Sequence, residues 1–447
     1  MTAGMENDNG QSTNIADPEP ARWYLAIVLF LLSFEMGFVW NLFNAISGIS
    51  GRLLGIGAQS IEYDAMIGCA VSVVLSPFVA HWISKGHFRA MMILSALCLC
   101  LGSWIILLGV NRDQCGVIFL GLALNGLAGP MALFGGAFLS DAWFPVHQRT
   151  QATSILCLSN YIGAGFAFFV GAVIVPETDG INNVIYLVLT CAFTASIILG
   201  SILIFFPSSP ASPASYSQLV RIREMKVSSK LSFRESYGKV LSNGSFCRAC
   251  VCFGLGSGIY AGWGGALNEN LSQYGMGQTI SGWIGSAGLL GGFIGGSAAA
   301  TIVDHGQMRL QKVTTVLFAI SFLGFSAFIV GCESRWPPAL LIIISAIVGG
   351  GVNGTVPILF ELALETSFPA PSTAAGTLLT MMNGIAAIVY FLIPLNIFGT
   401  RWMNWVPCVA CLISFVLLAF RPIRCRRSEC DRHQGEILLL TDGDDLP

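Results

Sequence analysis

Glu361 and Glu365, in "FELALETSFPAP" (360–371), stand four residues apart and share one face of any helix. They close a long apolar run, which leaves two chemistries open. In one, a carboxylate exchanges a proton or meets a solute. In the other, the pair holds the turn after the run against basic residues of neighbouring loops. A third acid, Glu35, stands inside "WYLAIVLFLLSFEMGFVWN" (23–41). A charge at mid-depth in lipid costs roughly 2.5–3.5 kcal/mol on the insertion scale, so such a residue is a functional candidate by default. Proton exchange is the chemistry it offers. Pairing with a neighbouring helix is the alternative.

The same run carries Ser33, Gly37, Trp40, Asn41, Asn44 and Ser47 at spacings of three or four, one polar and small-residue stripe from which Glu35 points away. A second run carries Tyr260, Trp263, Gly264 and Asn268. Aromatic faces suit a cationic or planar solute, and amides orient it. Asn125 and Asn353 add amides from two more runs. The plainer reading is that Asn bonds helices together and Trp anchors them at interfaces.

These groups need elements to hold them. The chain has 447 residues, 54% apolar and 10% charged, against about 25% charged in soluble domains. That balance puts most of the chain in lipid. A net charge of -2 gives no field for nucleic acid. The first 20 residues show no basic region or cleavage pattern of a removable signal. The 14 cysteines are scattered through apolar runs as small hydrophobes, without zinc-ligand spacing, so neither metal nor cofactor is expected. None of the five histidines falls mid-span, and no nucleophile–base set converges, so an enzyme is not expected.

About 20 apolar residues cross a bilayer. Twelve runs qualify: 23–48, 63–84, 90–110, 116–141, 150–175, 183–206, 247–268, 279–303, 311–331, 338–364, 373–397 and 403–420. They divide the chain into a polar tail (1–21) expected to be disordered, a six-helix half (22–206), a linker (207–246), a second six-helix half (247–420) and a C-terminal tail (421–447). With both tails and the linker cytoplasmic, 18 of the 22 Lys and Arg lie on that side, as the positive-inside rule requires. Of the sequons at Asn243, Asn270 and Asn353, only Asn270 then lies on the opposite side, where a glycan could be added.

The halves repeat. "LNGLAGPMALFGGAFLSDAWFPVHQRTQATS" and "VNGTVPILFELALETSFPAPSTAAGT" each run Asn-Gly, Pro, an acid (Asp141, Glu365) and Phe-Pro, with the Phe-Pro pairs 224 residues apart. Two parallel six-helix halves are the layout of the major facilitator superfamily. "FELALETSFPAPSTAAG", "RWYLAIVLFLLSFEMGFVWN", "LNGLAGP", "AGWGGALNENL" and "SGWIGSAGLLGG" resemble the feline leukaemia virus subgroup C receptor-related transporters, nearest the branch called disrupted in renal carcinoma. The resemblance covers 22–420 and implies a twelve-helix, all-α carrier of a small organic solute such as haem, a choline-like amine or pyridoxine. It implies spans one, four, seven and ten around a central cavity. It also implies a lysosomal or plasma-membrane location, with proton coupling open. Ser84 stands where many facilitators have Asp, whereas Asp304 in "TIVDHGQMR" keeps the second-half version, and Pro371-Ser372 replaces a Pro-Glu pair.

The resulting expectation is a secondary transporter working by alternating access. A receptor or scaffold of the same fold that has lost transport is the alternative. Trp40, Asn41, Asn44, Asn125, Tyr260, Trp263, Asn268 and Asn353 are the candidate solute contacts, and Trp40 is expected to face Tyr260 across the cavity. Asp141, Arg149, Asp304, Glu361 and Glu365 are gating or structural candidates. An acidic leucine-rich stretch, "GEILLLTDGDD", is a candidate sorting signal in the C-terminal tail.

Overall fold

The computed structural model describes residues 20–46, 58–112, 114–145, 148–175, 181–207, 209–210, 233–305, 309–368, 370, 372–393, 400–423, 425 and 427–429. Among these residues the chain forms helices and no strand. The first half comprises α1 (Ala21–Ala45), α2 (Ala58–Ser84), α3 (Phe88–Asn111), α4 (Cys115–Trp143), α5 (Arg149–Ile174) and α6 (Ile181–Ile204). A short helix, α7 (Phe233–Leu241), lies within the linker. The second half opens with α8 (Gly244–Phe253), a π-helical turn (Gly254–Gly258), α9 (Ile259–Gly265) and α10 (Leu267–Ser272). It continues with α11 (Gln278–Asp304), α12 (Leu310–Glu333), α13 (Pro338–Val352), α14 (Thr355–Ser367), α15 (Ser372–Phe391) and α16 (Trp402–Ala419).

Ten of these segments are long and apolar enough to cross a bilayer, counting α13 and α14 as one 30-residue span. The 29-residue α4 and the run from α8 through α9 complete twelve. Exposed Ile197, Ile204, Ile294 and Leu323 line the outside of the bundle, where lipid replaces water. Trp23, Trp82 and Trp405 are half-exposed near helix ends, the depth at which amphipathic rings settle.

Two spans depart from the unbroken helices expected. The seventh bulges at "GLGSG" (254–258), where glycines bring its backbone against its neighbours. A Cβ at Gly258 would strike the Asn383 carbonyl, and one at Gly256 the Phe318 ring. The tenth is interrupted between α13 and α14 at Asn353 and Gly354. Pro357 lies two residues into α14, where its missing N–H costs least.

Small residues set the close packing within each half. A Cβ at Gly163 of α5 would run into the Phe34 carbonyl of α1, and one at Gly349 of α13 into the Gly288 carbonyl of α11. The halves meet along two seams, α5 against α11 and α2 against α15. Between the seams lies the cavity.

Candidate functional site

The cavity is formed by both halves and encloses about 1090 Å³ of atom-free space, open solvent included. Its walls come from α1 (Trp40, Asn41, Asn44), α5 (Asn160, Tyr161), α9 (Tyr260, Trp263) and α15 (Thr380, Asn383), with α2, α4 and α11 closing the gaps. Among the described residues, no Asp, Glu, Lys, Arg or His lines it.

The amides in these walls are already half engaged. Asn41 Nδ2 donates to the Gly37 carbonyl (3.0 Å) and Asn160 Nδ2 to the Ser33 carbonyl (3.2 Å). Asn383 Nδ2 donates to Ser257 Oγ (2.7 Å), which also bonds the Tyr161 hydroxyl (2.6 Å). The last pair ties α5 of one half to the π turn of the other. Each NH₂ group gives an N–H to the protein, and the three amide oxygens are left to accept from a solute. The site therefore offers acceptors and π-faces.

The aromatic groups are held from behind. The Trp40 ring rests on Gly68 of α2, where any Cβ would collide with it. Tyr260 and Trp263 pack together (centroids 5.4 Å apart), and Phe325 and Phe328 meet Trp263 edge-on at 5.5 and 5.7 Å. Trp263 Nε1 donates to Asn404 Oδ1 (2.8 Å), fixing the indole. Trp40 and Tyr260 line the same cavity. A solute between them would separate the two faces.

The other amide candidates lie outside the lining. Asn125 Nδ2 donates to the Met36 carbonyl (3.3 Å), joining α4 to α1. Asn353 is buried at the break between α13 and α14, against Gly292. Asn268 lies on α10, beyond the cavity. Glu35 faces α6, bonded to Thr194 and Cys191, and is likewise off the cavity. The glycosylation reading of Asn270 is corrected by the structure. Its side chain is fully buried and Nδ2 donates to Asn404 Oδ1 (2.6 Å), so the amide is not presented for a glycan. The other sequon asparagine preceding α8, Asn243, caps that helix by accepting from Ser245 and Phe246 N–H.

The acids cluster at the opposite end of the bundle from the cavity, the end that carries Ala21. Arg427 inserts there from the C-terminal tail. Its Nη1 lies 3.1 Å from Asp141 Oδ1, its Nε 3.2 Å from Glu365 Oε1, and its Nη2 bonds Glu361 Oε2. Asp141 belongs to the first half and the two glutamates to the second. All four side chains are buried. Burial works against the guanidinium charge, but Glu361, Glu365 and Asp141 outweigh it and hold Arg427 above its ordinary pKa. Thr153 of α5 donates to Glu361 (2.6 Å), and Ser428 donates to Glu365 through its hydroxyl (2.7 Å) and N–H (2.9 Å).

Asp304 makes a further cross-half contact. It ends α11 and accepts from the Gln151 N–H (2.8 Å) and from Thr150, capping α5 of the other half. Arg149 is buried at the start of the same helix. The glutamate pair thus meets a tail arginine where loop residues were expected. Asn160, Tyr161, Asn383 and Arg427 are the site residues that sequence reasoning missed. The candidate sorting stretch lies outside the described residues.

The Major Facilitator Superfamily model matches residues 25–394. The chain belongs to this superfamily. It is 28% identical over 440 residues to a solute carrier family 49 member 4 homolog of Xenopus laevis, covering 92% of each chain. It is 22% identical over 425 residues to the choline/ethanolamine transporter FLVCR2 of Homo sapiens, covering 93% of this chain and 80% of that one. The resemblance to the feline leukaemia virus subgroup C receptor-related family therefore holds across both halves. Among solved structures, the facilitator FucP in the outward conformation superposes with a TM-score of 0.62 at 12% identity, covering 89% of this chain and 98% of that one. With these comparisons, the all-α, twelve-helix facilitator fold is established.

Proposed function

We propose that this facilitator carries a small organic cation bearing a hydrogen-bond donor, of the choline or ethanolamine type, by alternating access. The observation that carries the reading is the cavity wall: aromatic faces and amide oxygens, with no Asp, Glu, Lys, Arg or His among the described residues. An ammonium group is attracted by π-faces without needing a carboxylate. Its hydroxyl finds acceptors in Asn41, Asn160 and Asn383. An anion would find no cation there. The choline/ethanolamine transporters among the relatives support the same solute class.

Both termini and the linker are assigned to the cytoplasm on the charge split, which makes the Arg427 end cytoplasmic and the cavity outward-facing. The membrane is assigned as lysosomal or plasma by the family resemblance. Protons enter this scheme only through Glu35, which would act from α1, where it faces α6, rather than by touching the solute.

The test is uptake by proteoliposomes containing the purified protein, with labelled choline, ethanolamine, pyridoxine and haem compared with and without an imposed pH gradient. Saturable uptake of choline or ethanolamine, competed by small quaternary amines, is expected. Saturable uptake of haem or pyridoxine with none of either amine would overturn the solute assignment.

A further inference from the structure

Ser428 is exposed, whereas its neighbour Arg427 is buried among carboxylates of both halves. The hydroxyl and N–H of Ser428 both donate to Glu365, at 2.7 and 2.9 Å, so the serine seats the arginine. In sequence, Arg421, Arg424, Arg426 and Arg427 precede it. Basic residues on the N-terminal side of a serine are what a basophilic protein kinase reads through acidic subsites of its own.

We propose that Ser428 is a phosphorylation site whose modification undoes the Arg427 latch and so shifts the balance between the two facing states. In the reaction, Ser428 Oγ attacks the γ-phosphorus of ATP. The Oγ–P bond forms, the bond to the bridging oxygen of ADP breaks, and the hydroxyl proton passes to the kinase base. The product places a charge of about −1.5 to −2 against Glu365, where a donor had been. Like charges then oppose each other, and the bond that seated the tail is lost. Because Arg427 is buried in the latched form, a kinase can read the basic run only after the tail has left the carboxylates. Phosphorylation therefore traps the released form, in which the two halves lose their shared cation and the Arg427 end is freer to open.

This inference rests on the alternating-access reading and on a cytoplasmic tail, but not on which solute is carried. Its readout is conformational, so failed uptake of any one solute leaves it standing.

Full-length protein in lipid nanodiscs would be treated with a basophilic kinase and Mg-ATP, and the phosphate located by mass spectrometry. Hydrogen–deuterium exchange would then be followed in segments 141–153 and 361–368, at the latch, and in 260–290, around the cavity. Phosphate at Ser428 is expected, with exchange at the latch rising about tenfold and exchange around the cavity falling or holding. Ser428→Ala, treated in parallel, is expected to show neither change. A variant combining Asp141→Asn, Glu361→Gln, Glu365→Gln and Arg427→Gln removes the Arg427 cation together with its three carboxylates and leaves no latch. It is expected to show the raised latch exchange without any kinase. No phosphate at Ser428 in the wild-type chain, unchanged latch exchange in the phosphorylated protein, or faster exchange throughout the chain would each overturn the proposal.

Discussion

Replacing Trp40 isolates the interaction on which the solute assignment depends. One side of the indole rests on Gly68 of α2, and the ring is otherwise part of the cavity wall. A cation over a desolvated indole gains about 2 kcal/mol, or about thirtyfold in affinity, and an exposed one about 0.5–1 kcal/mol, or two- to fivefold. Trp40 is only half-buried, and a solute seated between Trp40 and Tyr260 would exclude the remaining water, so the larger figure applies. Trp40→Leu keeps an apolar side chain and removes the π-face. Affinity for labelled choline, measured on purified protein by equilibrium binding, should fall about thirtyfold. Trp40→Phe, with a weaker quadrupole, should fall between the two. The control is 3,3-dimethylbutan-1-ol, the neutral isostere, measured by competition. Lost apolar contact weakens both ligands alike, so the cation-to-isostere ratio reports the π-face alone. A ratio unchanged between wild type and Trp40→Leu would refute the cation–π account, however large the common loss.

Asn404→Leu strands two buried donors, Trp263 Nε1 and Asn270 Nδ2, at about 1–3 kcal/mol each, whereas Asn270→Ala removes one donor and strands none. Thermal unfolding in detergent should therefore rank Asn404→Leu well below Asn270→Ala, and equal losses would contradict the shared-acceptor geometry. Arg427→Gln leaves three buried carboxylates without their cation and should destabilise the folded protein by about 3–5 kcal/mol, most of it regained when Asp141, Glu361 and Glu365 are neutralised as well; no regain would mean that the guanidinium acts by packing. Glu35→Gln should preserve exchange of labelled for unlabelled solute while lowering accumulation driven by a pH gradient, and full gradient-driven accumulation in a well-folded variant would remove Glu35 from the mechanism.

The helices were legible because lipid leaves the sequence little freedom. Charges had to gather at the ends, and twelve apolar runs had to appear. The cavity face of α1 was legible for the same reason: Trp40, Asn41 and Asn44 form a polar stripe at helical spacing, and a lipid-facing helix has no use for one. Asn125 and Asn353 carry the same residue type but serve helix contacts, and one sequence does not separate an amide that meets a helix from one that meets a solute. Asn160 and Asn383 were missed because they lie in the fifth and eleventh spans, outside the four helices taken to line the cavity. They stand in corresponding stretches of the two halves, "LSNYIGA" (158–164) and "MMNGIAA" (381–387), and that correspondence is the available signal. The buried state of Asn270 was not legible, since its partner Asn404 is 134 residues away.

The repeat also carries the reason for the tail arginine. Asp141 and Glu365 occupy matching places, each just before Phe-Pro, so the halves bring them together whenever that end closes. Glu361 adds a third carboxylate on the same helix face. Three acids gathered at a closing seam cannot stay ionised and buried without a cation. Among the described residues, Arg427, beyond the last span, contacts all three. A cation belonging to one half would remain with that half when the seam opened. One carried on a tail can leave both halves, and its departure sets the carboxylates apart by their mutual repulsion. Under the proposed Ser428 switch, the bundle would be closed at this end by a detachable charge, and closure would be adjustable without altering any residue in the cavity.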